Sequence, residues 1–189
     1  SGEGADEIFG GYNVYSDPDG TLYDRLPMSL RRAIGRTAEK LPAKRGVNFF
    51  VRKGKTVEER FIGNAYIFTP EERINLLKIK TSAPHPTELT KPYFSRVNVK
   101  DDVTKMQHLD LHLWLAGDIL LKADRMSMAN SLELRVPFLD KEVFKVASTI
   151  PTNLRVNKHN TKYAMRQAAL RHLPQATAEK EKLGFPVPT

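Results

Sequence analysis

The 189-residue chain carries 30 Lys and Arg against 22 Asp and Glu, a net charge of +8, with 40% hydrophobic residues and no cysteine. That composition suits one folded domain with a real core and excludes wholesale disorder. Within these residues it also excludes a disulfide scaffold, a cysteine zinc site and a thiol nucleophile, and no apolar run approaches the roughly 20 residues that span a bilayer. No signal-peptide pattern is visible, so the expectation is a soluble chain working in the cytoplasm.

The chain opens in a glycine-rich turn, Ser1-Gly2-Glu3-Gly4-Ala5-Asp6-Glu7, with Gly10-Gly11-Tyr12 close behind. A domain seldom begins on such a loop, which predicts a fragment of a longer protein. Gly2 and Gly4 let backbone approach a ligand closely, and a helix can start at Ala5. Glu7 stands where a dinucleotide fingerprint needs its third glycine, and no Gly-Lys-Ser/Thr follows, so neither a Rossmann nor a Walker A loop is present. The turn offers three carboxylates instead: Glu3, Asp6 and Glu7. Hard oxygens of this kind suit Mg²⁺ on phosphate. Complementing a helix dipole accounts equally well for Asp6 and Glu7, but leaves Glu3 unexplained.

Residues 30–41 show helical spacing, with Ser29 placed as N-cap and Pro42 as the stop. Between Arg31 and Lys55 lie nine basic residues and one acid, Glu39, while the rest of the chain is balanced. Such a patch can bind nucleic acid or another anionic surface, but no nucleic-acid motif accompanies it. We read it as a solvated helical face. Thr56 and Glu59 form a capping box, and Thr69-Pro70-Glu71-Glu72 is a second helix start. Three prolines in residues 82–92 predict a loop. Two helices are expected over 101–115 and 118–129, broken or bent near Gly117. A helix over 140–148, capped by Asp140, ends before Pro151. Residues 153–156 read as extended, and 161–172 as a final helix ended by Pro174. The prediction is a mainly helical chain.

Three polar constellations stand out. In Lys158-His159-Asn160-Thr161-Lys162, cations at a helix start oppose the macrodipole unless an anion binds there; Arg166 shares the face of Lys162. Glu133, Arg135 and Asp140 are interleaved with apolar residues, which predicts structural ion pairs held near a core. His108 and His112 lack the glutamate that zinc-protease spacing requires, since Leu109 follows the first histidine.

With these residues in view, the chain resembles the synthetase domain of glutamine-hydrolysing asparagine synthetases. The matching pieces are SGEGADEIFGGY at 1–12, LLKADRMSMANSLELRVPFLD at 120–140, TKYAMRQAALRHLP at 161–174 and KLGFPVP at 182–188. Residues 20–100 match only loosely. The resemblance implies activation of the aspartate side-chain carboxylate by ATP with Mg²⁺, giving β-aspartyl-AMP, from which glutamine-derived ammonia displaces AMP. It implies Glu3 and Lys162 as catalytic residues, Gly2, Gly4 and Lys182 at the nucleotide, and Asp6 on Mg²⁺. Asp118 and Lys122 are secondary candidates.

The family's SGGxDS loop and its N-terminal glutaminase cysteine are absent from these residues. The resemblance therefore implies a partial synthetase domain over 1–189: the mainly α, C-terminal portion of an ATP-pyrophosphatase-type α/β fold, inert by itself. Rival expectations are a relative with another substrate, β-lactam synthetase-like or peptide-cyclising, and a basic helical module binding nucleic acid or other anions. In β-lactam synthetases a tyrosine replaces the loop's acidic residue, so Glu3 favours the asparagine type. A homo-oligomer is left open, because missing strands would expose apolar helix faces.

Overall fold

The computed structural model describes residues 1–16, 22–42, 44–64, 66–79, 82–157 and 160–181. These residues form helices α1 (Ala5–Phe9), α2 (Met28–Ala38), α3 (Arg45–Lys53), α4 (Val57–Arg60), α5 (Pro70–Leu76), α6 (Pro86–Ser95) and α7 (Asp102–Asp110). A π-helical stretch, Leu111–Ile119, leads into α8 (Leu120–Ala129), followed by α9 (Lys141–Ser148), α10 (Thr152–Arg155), α11 (Tyr163–Ala169) and α12 (Gln175–Ala178). Among the described residues the only β pairing is an isolated bridge between Val156 and Thr161. The mainly α expectation stands. Among the described residues no helix is long and apolar enough to cross a membrane.

Several helix starts follow from local chemistry. Glu59 accepts the Thr56 N–H at 2.8 Å, and Thr69 exchanges bonds with Glu72 at 2.8 and 3.2 Å. Asp140 accepts the Glu142 N–H at 2.8 Å, and so caps α9 as the sequence predicts.

Other boundaries differ from expectation. α2 begins at Met28 on Pro27, so Ser29 lies within the helix rather than capping it. The expected loop over 82–92 is largely α6. Pro86 fits the first turn, where its missing N–H is no loss, and burial of Thr90 and Phe94 sustains the helix through Pro92. Gly117 does not break the chain; it sits inside the π-helical stretch, and backbone stays helical from Asp102 to Ala129. Residues 153–156 are a helical turn apart from Val156. Glu133 and Arg135 do pair, but on the surface, and Asp140 serves as a cap instead.

The core forms where the turn Asn13–Tyr15 meets α4, α6 and α7, burying Tyr15, Val57, Phe61, Phe94, Met106 and Leu109. α2 and α3 pack as a hairpin. Among the described residues at least four of the nine cations between Arg31 and Lys55 meet a carboxylate: Arg31 and Lys53 reach Asp24 at 3.5 and 3.2 Å, Lys55 reaches Glu39 at 2.6 Å, and Arg32 reaches Glu59 at 2.8 Å. The basic patch is thus in part an ion-paired helical face.

Candidate functional site

The opening turn is shaped by what surrounds it. Gly4 has φ +87°, and a Cβ there would fall 2.2 Å from Leu139 Cδ2. Phe9 meets the Phe138 ring edge-on at 6.3 Å, and the Ser1 nitrogen donates to the Arg135 carbonyl at 2.8 Å. The turn is therefore seated on the segment 135–139. Glu3 is half-buried there, with its N–H 3.4 Å from Ser1 Oγ. Gly2 is exposed, and a Cβ on it would meet nothing within 4 Å, so space alone does not demand glycine.

After α1 the chain doubles back. Gly10 and Gly11 both turn their N–H groups onto the Asp6 carbonyl, Gly11 at 2.7 Å. A Cβ on Gly11 would lie 1.8 Å from Asp6 Oδ1, so close approach of backbone to carboxylate requires glycine. That carboxylate meets Lys162: Nζ lies 2.8 Å from Asp6 Oδ1, with both side chains largely covered. The Lys162 N–H also donates to the Gly10 carbonyl at 3.2 Å. Lys162 holds a left-handed backbone, φ +53°, at the start of α11, and these two contacts fix it there. Its neighbour Arg166 donates to the carbonyls of Thr161, Ala178 and Lys180 at 3.0, 3.0 and 2.9 Å. The residue two before α11 and the C-terminal end of α12 are thereby tied to one guanidinium.

Beneath the turn lies a polar network. Glu7, 2% exposed, accepts a 2.5 Å bond from the Tyr12 hydroxyl, which accepts in turn from Trp114 Nε1 at 3.1 Å. Burial raises the Glu7 carboxyl above the usual range, against the lowering effect of the Tyr12 bond. Gln107 Nε2 donates to the carbonyls of Glu7 and Ile8 at 2.7 and 3.1 Å. Arg155 Nη1 holds the other end of that amide at 2.5 Å, and its Nη2 reaches Thr104 and Thr152. One turn further along α7, buried Asp110 accepts from Tyr15 at 2.5 Å and from the side chain and N–H of Asn64 at 2.6 and 3.0 Å. Burial pushes its carboxyl up to about 6, while those bonds act to lower it.

The sequence expectations are thus distributed as follows. Asp6 and Lys162 are brought together across 156 positions; Glu3 and Gly4 share the same turn; Lys182 lies outside the described residues, as do Lys158 and His159. Asp118 and Lys122 pair with each other at 2.8 Å, and Lys122 Nζ sits 5.8 Å from the centroid of the Trp114 ring. His108 and His112 have ring centroids 4.3 Å apart, and among the described residues no cluster of three His or carboxylate side chains is placed to hold a metal. Missed were Gly11, Gln107, Asp110 and Arg155. Residues 103, 106, 107 and 110 share one helix face by spacing, so polar Gln107 and Asp110 on the apolar face of Val103 and Met106 were a readable signal.

The family model described as asparagine synthase matches residues 1–189. The chain is 46% identical over 190 residues to glutamine-hydrolysing asparagine synthetase 1 of Bacillus subtilis, covering 100% of this chain and 30% of that protein. A putative glutamine-hydrolysing asparagine synthetase of Mycobacterium tuberculosis is 46% identical over 191 residues, covering 100% and 29%. Asparagine synthetase 3 of Bacillus subtilis is 24% identical over 188 residues, covering 98% and 26%. The chain therefore spans about 30% of the length of the curated relatives it matches first. No solved structure matches it at a significant level.

Proposed function

The chain belongs to the asparagine synthase family, and from that membership we propose that it supplies one wall of the nucleotide site of an ATP-dependent ligase making asparagine from aspartate. The observation that carries this reading is the Asp6–Lys162 pair, 2.8 Å apart, joining the glycine turn to the start of α11. A cation held in place by a carboxylate and by its own constrained backbone is pre-organised to meet negative charge as it develops.

In the proposed reaction, an oxygen of the aspartate side-chain carboxylate attacks the α-phosphorus of ATP, and the bond to pyrophosphate breaks. Lys162 holds the α-phosphate and the departing pyrophosphate. Ammonia, derived from glutamine in another part of the protein, then attacks the acyl carbon, and the bond to AMP breaks. Glu3 sits at the intermediate and takes the proton that the ammonia nitrogen loses. Gly2 and Gly4 leave the turn's backbone open to the nucleotide, and Lys182 adds a second cation at the pyrophosphate.

The donor set near Asp6 fits Mg²⁺, which is commonly held by one or two carboxylates plus substrate phosphates. Asp6 would hold it, and bound there it would neutralise charge on the pyrophosphate. Asp6 is already the counter-ion of Lys162, so the lysine stays close to whatever Asp6 binds.

Aspartate-dependent exchange of labelled pyrophosphate into ATP by the full-length protein tests the reading. Lys162→Met should slow exchange about 100-fold, and Lys162→Arg less; the 189-residue chain alone should be inert. Exchange that ignores aspartate, or that survives Lys162→Met intact, would refute it.

A further inference from the structure

A cleft of about 650 Å³ opens between α3, α4, α5 and α6, and none of the residues lining it belongs to the glycine turn or to α11. Its volume falls in the range of small-molecule sites. Three guanidinium groups line it, those of Arg52, Arg60 and Arg73. The cleft's own acids are spoken for: Glu39 is held by Lys55 at 2.6 Å and Glu59 by Arg32 at 2.8 Å. Arg60 pairs with Asp102 at 3.5 Å, outside the cleft's own acids. Arg73 has no carboxylate within ion-pair distance among the described residues, and its Nε is buried without a hydrogen-bond partner. A buried guanidinium N–H left unmatched costs free energy that an oxyanion in the cleft would recover.

The same cleft carries two aromatic side chains, Tyr66 and Phe68, with half their surface open to solvent. Exposed rings beside cations present a ligand with an apolar wall and a charged wall at once. We propose that this cleft binds a small organic anion bearing a flat ring, its oxyanion on Arg73 with Arg52 and Arg60 beside it, its ring against Tyr66 and Phe68. It is a second site, separate from the one proposed for the nucleotide phosphates.

Hydrogen–deuterium exchange on the full-length protein, with phenylphosphonate as probe and inorganic phosphate as comparison, tests the site. Phenylphosphonate should protect amides in residues 48–62 and 66–73, and should bind more tightly than inorganic phosphate in calorimetry. Arg73→Gln should weaken it about tenfold or more, the loss of a hydrogen bond to a charged group. Phe68→Ala, at an exposed position that leaves the fold intact, should weaken it several-fold. No protection, or protection confined to residues 1–12 and 160–166, overturns the proposal. So does inorganic phosphate binding as tightly as the probe, or both variants binding it like the unaltered protein.

Discussion

Asp110 makes the protein's stability depend on pH in an unusual direction. Most structural carboxylates are held below their ordinary value and lose stability in acid. Asp110 is fully buried, and burial moves its carboxyl from 3.8 up to about 6. Between those values the folded state keeps a proton that the unfolded chain releases, so stability rises as pH falls through 6 towards 4. It is lost as pH rises through about 6, the loss being complete about one unit above that. A shift of this size corresponds to about 3 kcal/mol. Asp110→Asn keeps the shape and one of the two oxygens that accept from Asn64, and removes the titration. Urea unfolding from pH 4 to 7.5 should show the variant faring best, relative to the unaltered protein, at neutral pH and worst near pH 4. The difference between the two curves should change by about 3 kcal/mol across that range. Parallel curves, or a difference of opposite sign, would refute the assignment of Asp110 as a carboxylate kept at a cost.

Three more changes probe the turn. Gly11→Ala drives a methyl into Asp6 Oδ1, 1.8 Å away, and should both part Asp6 from Lys162 and cost about 1–3 kcal/mol, read by pyrophosphate exchange and thermal unfolding. Tyr12→Phe removes the hydroxyl shared by Glu7 and Trp114. It should cost about 1–3 kcal/mol and shift the emission of the chain's one tryptophan, whose N–H loses its acceptor. Gln107→Leu strips the Glu7 and Ile8 carbonyls of their side-chain donor and leaves Arg155 Nη1 without its acceptor, Nη2 keeping Thr104 and Thr152; faster amide exchange across residues 5–12 should accompany a loss of stability.

The glycine turn and the capped helix starts were legible because their causes are local. Thr56, Thr69 and Asp140 act on backbone within three residues, and glycine spacing marks a turn whatever lies around it. α6 was misread because the prolines of residues 82–92 speak locally for a loop, while burial of Thr90 and Phe94 decides otherwise. Glu133 and Arg135 pair as expected but on the surface: the apolar residues around them suggest a core, yet Leu132 is itself exposed.

From the order of its residues this protein takes most of its helices, its basic stretch from Arg31 to Lys55, and an acidic glycine turn. Which acid meets which cation was decided only by folding. Asp6 and Lys162 are separated by 156 positions, and no local rule relates them; α1 and α11 must pack together before the pair exists. Burial likewise sets the proton affinity of Asp110, since a side chain's neighbours in space, unlike its neighbours in the chain, are fixed by the packing of the whole.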